Sequence, residues 1–238
     1  MPPNPVEPAP TPWNFAGSLD AAGEDDLIAV GADLEPGTIL AAYRIGVFPM
    51  GVGGEPPRMG WWSPQRRGVL LPGDLHISRT LRRSARRFLV SIDQAFDPVL
   101  DACAHSGRRG DWISADIADA YRTLHGLGWA HSVEVWDEQG DLVGGLYGVA
   151  LGGLFAGESM FHRATDASKV ALVGLVDVLA ATGDYLIDVQ WRTQHLASLG
   201  IIEIDRDDYR TRLPVALAAT ATDWGFWSAH RWTPGEWG

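Results

Sequence analysis

The sequence predicts an α+β fold, and two observations support this class. Segments 131–137 and 142–149 both alternate with period two around a turn at 138–141, which is typical of an antiparallel hairpin. Helical segments with recognisable start and stop signals lie on both sides of this hairpin. A doubly wound parallel sheet would place a helix between consecutive strands, so adjacent antiparallel strands favour the α+β class.

The N-terminal part is predicted to form a small α+β domain at residues 13–70. Residues 1–12 are rich in proline and are expected to be a disordered lead-in. The clearest element is a helix at 36–45, because proline is favoured in the first turn of a helix and Gly46 provides a stop. The glycine- and proline-rich segment 51–57 is expected to be a loop.

A larger second domain is predicted at residues 71–238, because Pro72-Gly73 breaks the pattern within a boundary region near 65–75. Its predicted elements mix helices with short apolar strands. In order they are helix 78–87, strand 88–92, helix 97–104, helix 115–127 with Ser114 as N-cap, strands 131–137, 142–149 and 151–155, helix 167–181, strand 185–189, helix 192–199, strand 201–204 and helix 207–218.

Composition excludes several classes of protein. Hydrophobic residues make up 46% of the chain and charged residues 21%, as in an ordinary folded globular protein. Cys103 is the single cysteine, which excludes an intrachain disulfide and a cysteine-based zinc site. The seven histidines show no metal-ligand spacing, so no metal site is expected.

The sequence does not predict contact with a membrane. Residues 1–12 lack the basic and apolar regions of a signal peptide. The longest uncharged run, 142–157, is too short to span a bilayer and is rich in glycine. The expectation is a soluble, cytoplasmic protein.

Charge is distributed unevenly along the chain. The formal net charge of -11 by itself argues against a nucleic-acid partner. No acidic residue lies between Asp74 and Asp93, however, so this window carries about +5 and the remainder about -16. Its five arginines have the i, i+3, i+4, i+7, i+8 spacing that places side chains on one face of a helix. Such a face is either exposed to solvent or binds phosphates. Within an acidic chain we favour a phosphate-backbone site formed by Arg79, Arg82, Arg83, Arg86 and Arg87.

A strand predicted to be buried carries an unusual polar pair. Asp188 and Gln190 lie at positions i and i+2, hence on one face of the sheet. Burying a carboxylate and an amide is unfavourable unless they are hydrogen-bonded to each other or to a ligand. The pair is either a satisfied polar pair at a strand end or part of a functional site, and we favour the second.

Two glycine-containing motifs favour structural interpretations. The glycines at 144–148 and 152–153 lie in strand-like sequence without the Gly-Lys-Ser/Thr of a phosphate loop, which indicates bulges or close backbone approach. Ser159 lies in a motif that lacks the second glycine of a nucleophile elbow, so it is not expected to be a hydrolase nucleophile.

Tryptophan is unusually frequent, with 11 residues. Trp61, Trp62 and Trp112 are predicted near turns rather than in periodic apolar runs. Core packing is the default for each, but together with Phe155 they are candidates to line an apolar pocket or stack a base.

These residues coincide with a known family. The chain resembles the bacterial leucyl/phenylalanyl-tRNA–protein transferases from about residue 27 to residue 213, through separate motifs that are specific as an ordered set. They are Ala42-Tyr43-Arg44-x-Gly46-x-Phe48-Pro49, Trp61-Trp62-Ser63-Pro64, Leu75-His76-Ile77-Ser78-Arg79, Trp112-Ile113, His131-Ser132-Val133-Glu134-Val135-Trp136, Val143-Gly144-Gly145-Leu146-Tyr147-Gly148-Val149, Gly157-Glu158-Ser159-Met160-Phe161, Ala167-Ser168-Lys169 and Ile187-Asp188-x-Gln190.

The resemblance implies a small N-terminal domain joined to an acetyltransferase-like (GNAT) domain with a mostly antiparallel mixed sheet. It implies transfer of Leu or Phe, and less readily Met, from aminoacyl-tRNA to the α-amine of proteins that begin with Arg or Lys, which marks them for N-degron degradation. It implies no metal, ATP or coenzyme A, and we expect a monomer.

The resemblance also implies roles for individual residues. Glu158, Asp188 and Gln190 match the groups proposed for acceptor binding and catalysis, and the arginine face matches the patch for the tRNA acceptor stem. The expected pocket for the aminoacyl side chain and the terminal adenosine is formed by Met50, Trp62, Trp112, Leu146, Phe155 and Leu175. Met50 stands where the family commonly has tryptophan, and Leu146 and Leu175 replace bulkier or softer residues.

The expected transfer reaction needs little more from the protein than the correct positioning of the donor ester and the α-amine. The donor ester is already activated and the α-amine has a pKa of about 7.7–8.0, so we expect Gln190 to orient the amine while Asp188 stabilises the cationic transition state. Glu158 and Asp188 are expected to pair with the acceptor's charges. Two alternatives stay open: a tRNA-dependent transferase with a different acceptor, and a non-catalytic tRNA-binding protein.

Overall fold

The computed structural model describes residues 5–54, 58–105 and 113–234, which form two sheets flanked by helices. The N-terminal elements are α1 (Phe15–Ala21), β1 (Leu27–Val30), α2 (Pro36–Tyr43), β2 (Phe48–Gly51) and β3 (Met59–Trp62). The three strands form a small antiparallel sheet in the order β1-β3-β2. Proline in the first turn of α2 matches the predicted helix, which ends two residues earlier than expected.

The larger sheet is mixed and mostly antiparallel. Its strands are β4 (Arg66–Leu70), β5 (Leu89–Ile92), β6 (Ala130–Trp136), β7 (Leu142–Leu151), β8 (Leu154–His162), β9 (Leu186–Gln190) and β10 (Ile202–Asp205). They lie in the order β10-β4-β9-β8-β7-β6-β5. The β8/β9 pair is parallel and the other neighbours are antiparallel. The predicted mixture of helices and antiparallel strands is therefore confirmed.

Helices cover both faces of this sheet. They are α3 (Arg79–Ala85), α4 (Phe96–Ala104), α5 (Ala115–Gly126), α6 (Ala167–Ala180), α7 (Gln194–Ala197), α8 (Arg206–Ala218) and α9 (Trp224–Ser228). Alternation along β7 divides the core: Leu146 packs with α6 on one face, whereas Tyr147 and Val149 pack with α4 and α5 on the other.

Residues 5–12 differ from the expected disordered lead-in. The Val6 N–H donates to the Leu127 carbonyl and the Val6 carbonyl accepts from Trp129 Nε1, both at 2.8 Å. Glu7 forms a bidentate ion pair with Arg44 at 2.7 Å. A proline-rich segment has no helical or strand pattern, so its sequence did not reveal these tertiary contacts.

The strand predicted at 151–155 is present but shifted, because Leu151 ends β7 and the next strand, β8, begins only after a turn at residues 152–153. Gly152 has φ +59°, and Gly152-Gly153 closes the hairpin. Strand β8 therefore begins at Leu154 and extends through Glu158, which lies on a strand next to the bulge between Tyr147 and Gly148. The interpretation of the strand glycines as bulges or close approaches is confirmed.

Two further features differ from the sequence-based expectations. Trp61 and Trp62 are the last two residues of β3, and Trp61, a candidate to line the pocket, is fully buried. Strand β4, at the end of the range assigned to the small domain, pairs with β9 and β10 in the large sheet. We propose that the two domains meet at residues 63–65.

Within the described ranges, no helix combines the length and the apolar character needed to cross a bilayer.

Candidate active site

A cavity of about 720 Å³ lies beside the parallel β8/β9 pair. Its wall is mainly apolar, with a few polar side chains, which is the usual character of a small-ligand site. Among the lining residues, Leu146, Phe155, Leu175 and Ile187 are buried, while Glu158 is partly exposed. The other lining residues are Cys103, Ala104, Ile113, Gly157, Ser159, Met160, His162, Ser168, Leu172, Val189, Gln190, Trp191, Thr193, His195 and Leu196.

The structure brings together part of the expected pocket. Leu146, Phe155 and Leu175 come from β7, β8 and α6 and line this one cavity. Met50 and Trp62 do not line it, although Trp62 Nε1 donates to the Met50 carbonyl at 3.0 Å beside it. Trp112 lies outside the described residues.

Glu158 is held by two tyrosines from different helices. Tyr43 on α2 lies 2.5 Å from Oε1, and Tyr121 on α5 lies 2.8 Å from Oε2. The two tyrosine oxygens are also 2.7 Å apart. The three groups therefore form a closed ring of hydrogen bonds that joins the N-terminal elements to the large sheet.

This ring of contacts needs three protons. Two hydroxyl protons can serve two of the three oxygen–oxygen contacts, so the third contact is satisfied when the carboxyl of Glu158 carries a proton. Burial raises the pKa of Glu158 to about 7, although the hydrogen bonds from Tyr43 and Tyr121 oppose this shift. Glu158 is thus positioned to gain or lose a proton near neutral pH.

Gln190 occupies a strained backbone conformation at the end of β9. Its φ is +58°, in the left-handed region that non-glycine residues rarely adopt. The Gln190 N–H donates to Asp188 Oδ1 at 2.9 Å, which stabilises this turn, and Nε2 lies 3.4 Å from Glu158 Oε1. The side-chain amide therefore faces Glu158 and the cavity rather than Asp188.

Asp188, which was expected to pair with the acceptor's charge, is not among the residues that line the cavity. It is fully buried and forms a bidentate ion pair with Arg67, at 2.8 Å from Nε and 2.5 Å from Nη2. Tyr209 also donates to it at 2.8 Å. Burial lowers the pKa of Arg67, but pairing with Asp188 outweighs burial and raises it. The charge of Asp188 is already compensated within the protein.

The five predicted arginines lie on an exposed surface around α3. Ser78 caps the helix by accepting from the Leu81 N–H, and Leu81 and Ala85 are buried. All five arginines are exposed, and Arg87 donates to Ser84 at 3.1 Å. The other four, Arg79, Arg82, Arg83 and Arg86, have no ion-pair partner among the described residues. Their mutual repulsion is therefore uncompensated within this part of the chain.

Sequence reasoning missed the residues that hold the site together. Tyr43 and Tyr121 orient Glu158, and Arg67 and Tyr209 compensate Asp188. A buried aspartate implies a partner of opposite charge. Because Arg67 lies 121 residues away and arginines are numerous, the sequence did not identify that partner.

The described residues contain no group of three or more histidine, cysteine or acidic side chains arranged to hold a metal ion. Glu158 and Gln190 are the polar pair that lies side by side on the wall of the apolar cavity.

The chain is similar to a solved structure at low identity and to curated transferases at 46–50% identity. A solved structure of L-PGS from Bacillus licheniformis aligns over 52% of this chain and 45% of that chain with 15% identity and a TM-score of 0.37, too low to support a conclusion on the fold. A leucyl/phenylalanyl-tRNA–protein transferase from Stutzerimonas stutzeri is 50% identical over 83% of this chain and 88% of that protein. One from Dechloromonas aromatica is 46% identical over 91% and 94%, respectively.

Family-level matches cover most of the described chain. Residues 69–214 match the family described as leucyl/phenylalanyl-tRNA protein transferase, and residues 32–65 match the N-terminal domain of that family. The chain therefore belongs to the leucyl/phenylalanyl-tRNA–protein transferase family.

Proposed function

We propose that this protein moves Leu or Phe, and less readily Met, from aminoacyl-tRNA to the α-amine of proteins that begin with Arg or Lys. The observation that carries the proposal is the apolar cavity with Glu158 and Gln190 side by side on its wall. The cavity suits an apolar aminoacyl side chain, while the polar pair suits an amine that must lose a proton.

The donor side of the reaction is supported by the apolar residues and the arginine face. Leu146, Phe155 and Leu175 offer the aminoacyl side chain an apolar surface. The exposed arginines in and directly after α3 suit the phosphates of the acceptor stem. Arg83→Gln should raise the KM for tRNA and reduce its salt dependence, whereas Arg212→Gln, whose arginine pairs with Asp208, should change neither. Equal effects in both variants would contradict this assignment.

Glu158 is the proposed proton acceptor. The amine nitrogen attacks the ester carbonyl carbon, a C–N bond forms, and the C–O bond to the ribose breaks. The amine proton passes to the ionised carboxylate of Glu158 and then to the departing ribose oxygen. A pKa of about 7 lies close to that of the amine, which favours this transfer near neutral pH. Gln190 orients the amine, and Asp188 positions Gln190 through its backbone N–H.

We also propose the broader setting of this activity. An acceptor with a basic N-terminus suits a chain whose net charge is -11. The mostly antiparallel sheet with one parallel pair supports an acetyltransferase-like (GNAT) domain. The reaction needs no cofactor because the ester is already activated. The product would carry an N-degron, and the protein would act as a cytoplasmic monomer.

The acid limb of the pH profile tests the role of Glu158. Both Glu158 and the free amine must be deprotonated, so log(kcat/KM) should rise with pH at a slope of about 2 well below pH 7. Glu158→Gln should leave the amine alone to titrate, which reduces the slope to about 1 and also lowers the rate. The measurement is kcat/KM for an Arg-starting peptide between pH 5.5 and pH 8.5. The same slope in both proteins would show that Glu158 is not the proton acceptor.

The proposed function is tested by transfer of radiolabelled Leu, Phe and Met from tRNA to an Arg-starting protein. We expect label in a peptide bond to the N-terminal residue, with little transfer to an Asp-starting or N-acetylated protein. Efficient transfer to the Asp-starting protein would support a transferase with a different acceptor. Tight tRNA binding without transfer would identify a non-catalytic tRNA-binding protein.

A further inference from the structure

Trp191 is an exposed aromatic side chain at the edge of the cavity. It directly follows Gln190, lines the cavity and is 36% exposed. The described chain has few large hydrophobic side chains this exposed, and the pocket residues Leu146 and Phe155 are by contrast buried. Leaving a tryptophan ring in contact with water is unfavourable, so a ligand that covers it gains free energy.

The ring is held in place on its protein side. It meets Phe48 on β2 with ring centroids 5.2 Å apart and Trp62 on β3 with centroids 6.1 Å apart, both nearly perpendicular. These contacts connect the small sheet to the end of β9. A fixed aromatic surface binds a planar ligand with little loss of side-chain entropy.

The backbone on both sides of Trp191 is also fixed. The Gln190 N–H is bound by Asp188, and Arg192 Nε donates to the Ile201 carbonyl at 3.0 Å. Gly68 on β4 allows this segment to pass closely, because a Cβ there would lie 2.9 Å from the Arg192 nitrogen and 3.1 Å from the Trp191 carbonyl carbon. Trp191 is therefore preorganised rather than mobile at the cavity edge.

We infer that Trp191 is a stacking surface for the terminal adenine of the aminoacyl-tRNA donor. The inference rests on the proposed function, which places the donor ester beside Gln190. The adenine is joined to that ester through a single ribose, and Trp191 is the next residue, with Cα atoms about 3.8 Å apart. This short linkage brings the base to the end of β9, where the Trp191 ring lines the cavity and is exposed, and stacking on an aromatic side chain is independent of base identity.

A donor with and without its terminal base tests the inference. We would use a leucylated RNA fragment that ends in adenosine and the same fragment with an abasic terminal ribose. Trp191→Ala should raise the KM about 10- to 100-fold for the adenosine donor and leave the KM for the abasic donor within about twofold of wild type. Trp191→Phe should retain most of the affinity because it keeps an aromatic face. Melting temperatures would confirm that both variants fold.

Trp13→Ala is the matched control, because Trp13 is 47% exposed and does not line the cavity. It should change the KM for neither donor. Equal increases for both donors in Trp191→Ala, or an increase in the KM for the acceptor alone, would overturn the inference while leaving the transferase activity intact. Absence of leucine transfer by the wild-type protein would instead refute the proposed function and the stacking site with it.

Discussion

Arg67→Met is expected to lower the free energy of unfolding by about 3–5 kcal/mol, because it leaves the buried carboxylate of Asp188 without its cation. Arg67 is 1% exposed and donates two hydrogen bonds to Asp188 and one to the Gly46 carbonyl at 3.1 Å. Its guanidinium also stacks on Phe48 and Tyr209. The measurement is urea unfolding at pH 7, supported by a melting temperature lower by about 10 °C.

The neighbouring residue supplies the control. Arg66 lies on the same strand and pairs with Asp205, but both side chains are more than half exposed. Arg66→Met should therefore change stability by less than about 1 kcal/mol. Similar small losses in both variants would mean that the Arg67–Asp188 pair contributes little to the fold, contrary to its buried geometry.

Gly148→Ala is expected to destabilise the protein by about 3 kcal/mol or more and to reduce transfer activity strongly. A Cβ at Gly148 would lie 2.2 Å from the Ala156 carbonyl oxygen and 2.6 Å from the Phe155 ring. Strands β7 and β8 would have to separate at their bulge, which would displace Phe155 and the nearby Glu158.

Gly51→Ala is the matched control for this prediction. Gly51 also lies on a strand, but a Cβ there would meet no atom within 4 Å and its φ is not positive. We expect it to change neither the unfolding midpoint nor kcat by a measurable amount. If Gly148→Ala were equally neutral, the close approach of β7 and β8 would not be needed to position the site.

Local patterns in the sequence predicted the elements that depend on interactions between residues close together in the chain. The period-two hairpin, the capped helix after Ser114 and the helix that begins after Ser78 each depend on residues a few positions apart, and each is present. Helix α3 is shorter than predicted, because it ends at Ala85 and leaves Arg86 and Arg87 beyond its last turn. The resemblance to the family, rather than a local pattern, grouped Leu146, Phe155 and Leu175, and the structure brings these three residues to one cavity. Four-residue strands such as β1 and β2 gave too short a pattern to be recognised.

The remaining features depend on contacts between distant segments. The sequence identified Asp188 as unusual. Its contact with Arg67, and hence its position away from the cavity, depends on the pairing of β4 with β9. Tyr43 and Tyr121 meet Glu158 because α2, α5 and β8 converge in space. The spacing of residues along the sequence does not indicate that these three elements meet. The closed ring of hydrogen bonds was therefore identified only from the structure.

The most direct test of the account is the kcat for leucine transfer by Gln190→Gly, measured together with the KM for each substrate. Glycine adopts the left-handed backbone without strain and keeps the N–H that Asp188 binds, so the fold should be as stable as wild type or slightly more stable. Without the amide that orients the amine, kcat should fall about 100-fold or more while both KM values change little. A variant with wild-type kcat would show that the chemistry does not occur at the end of β9.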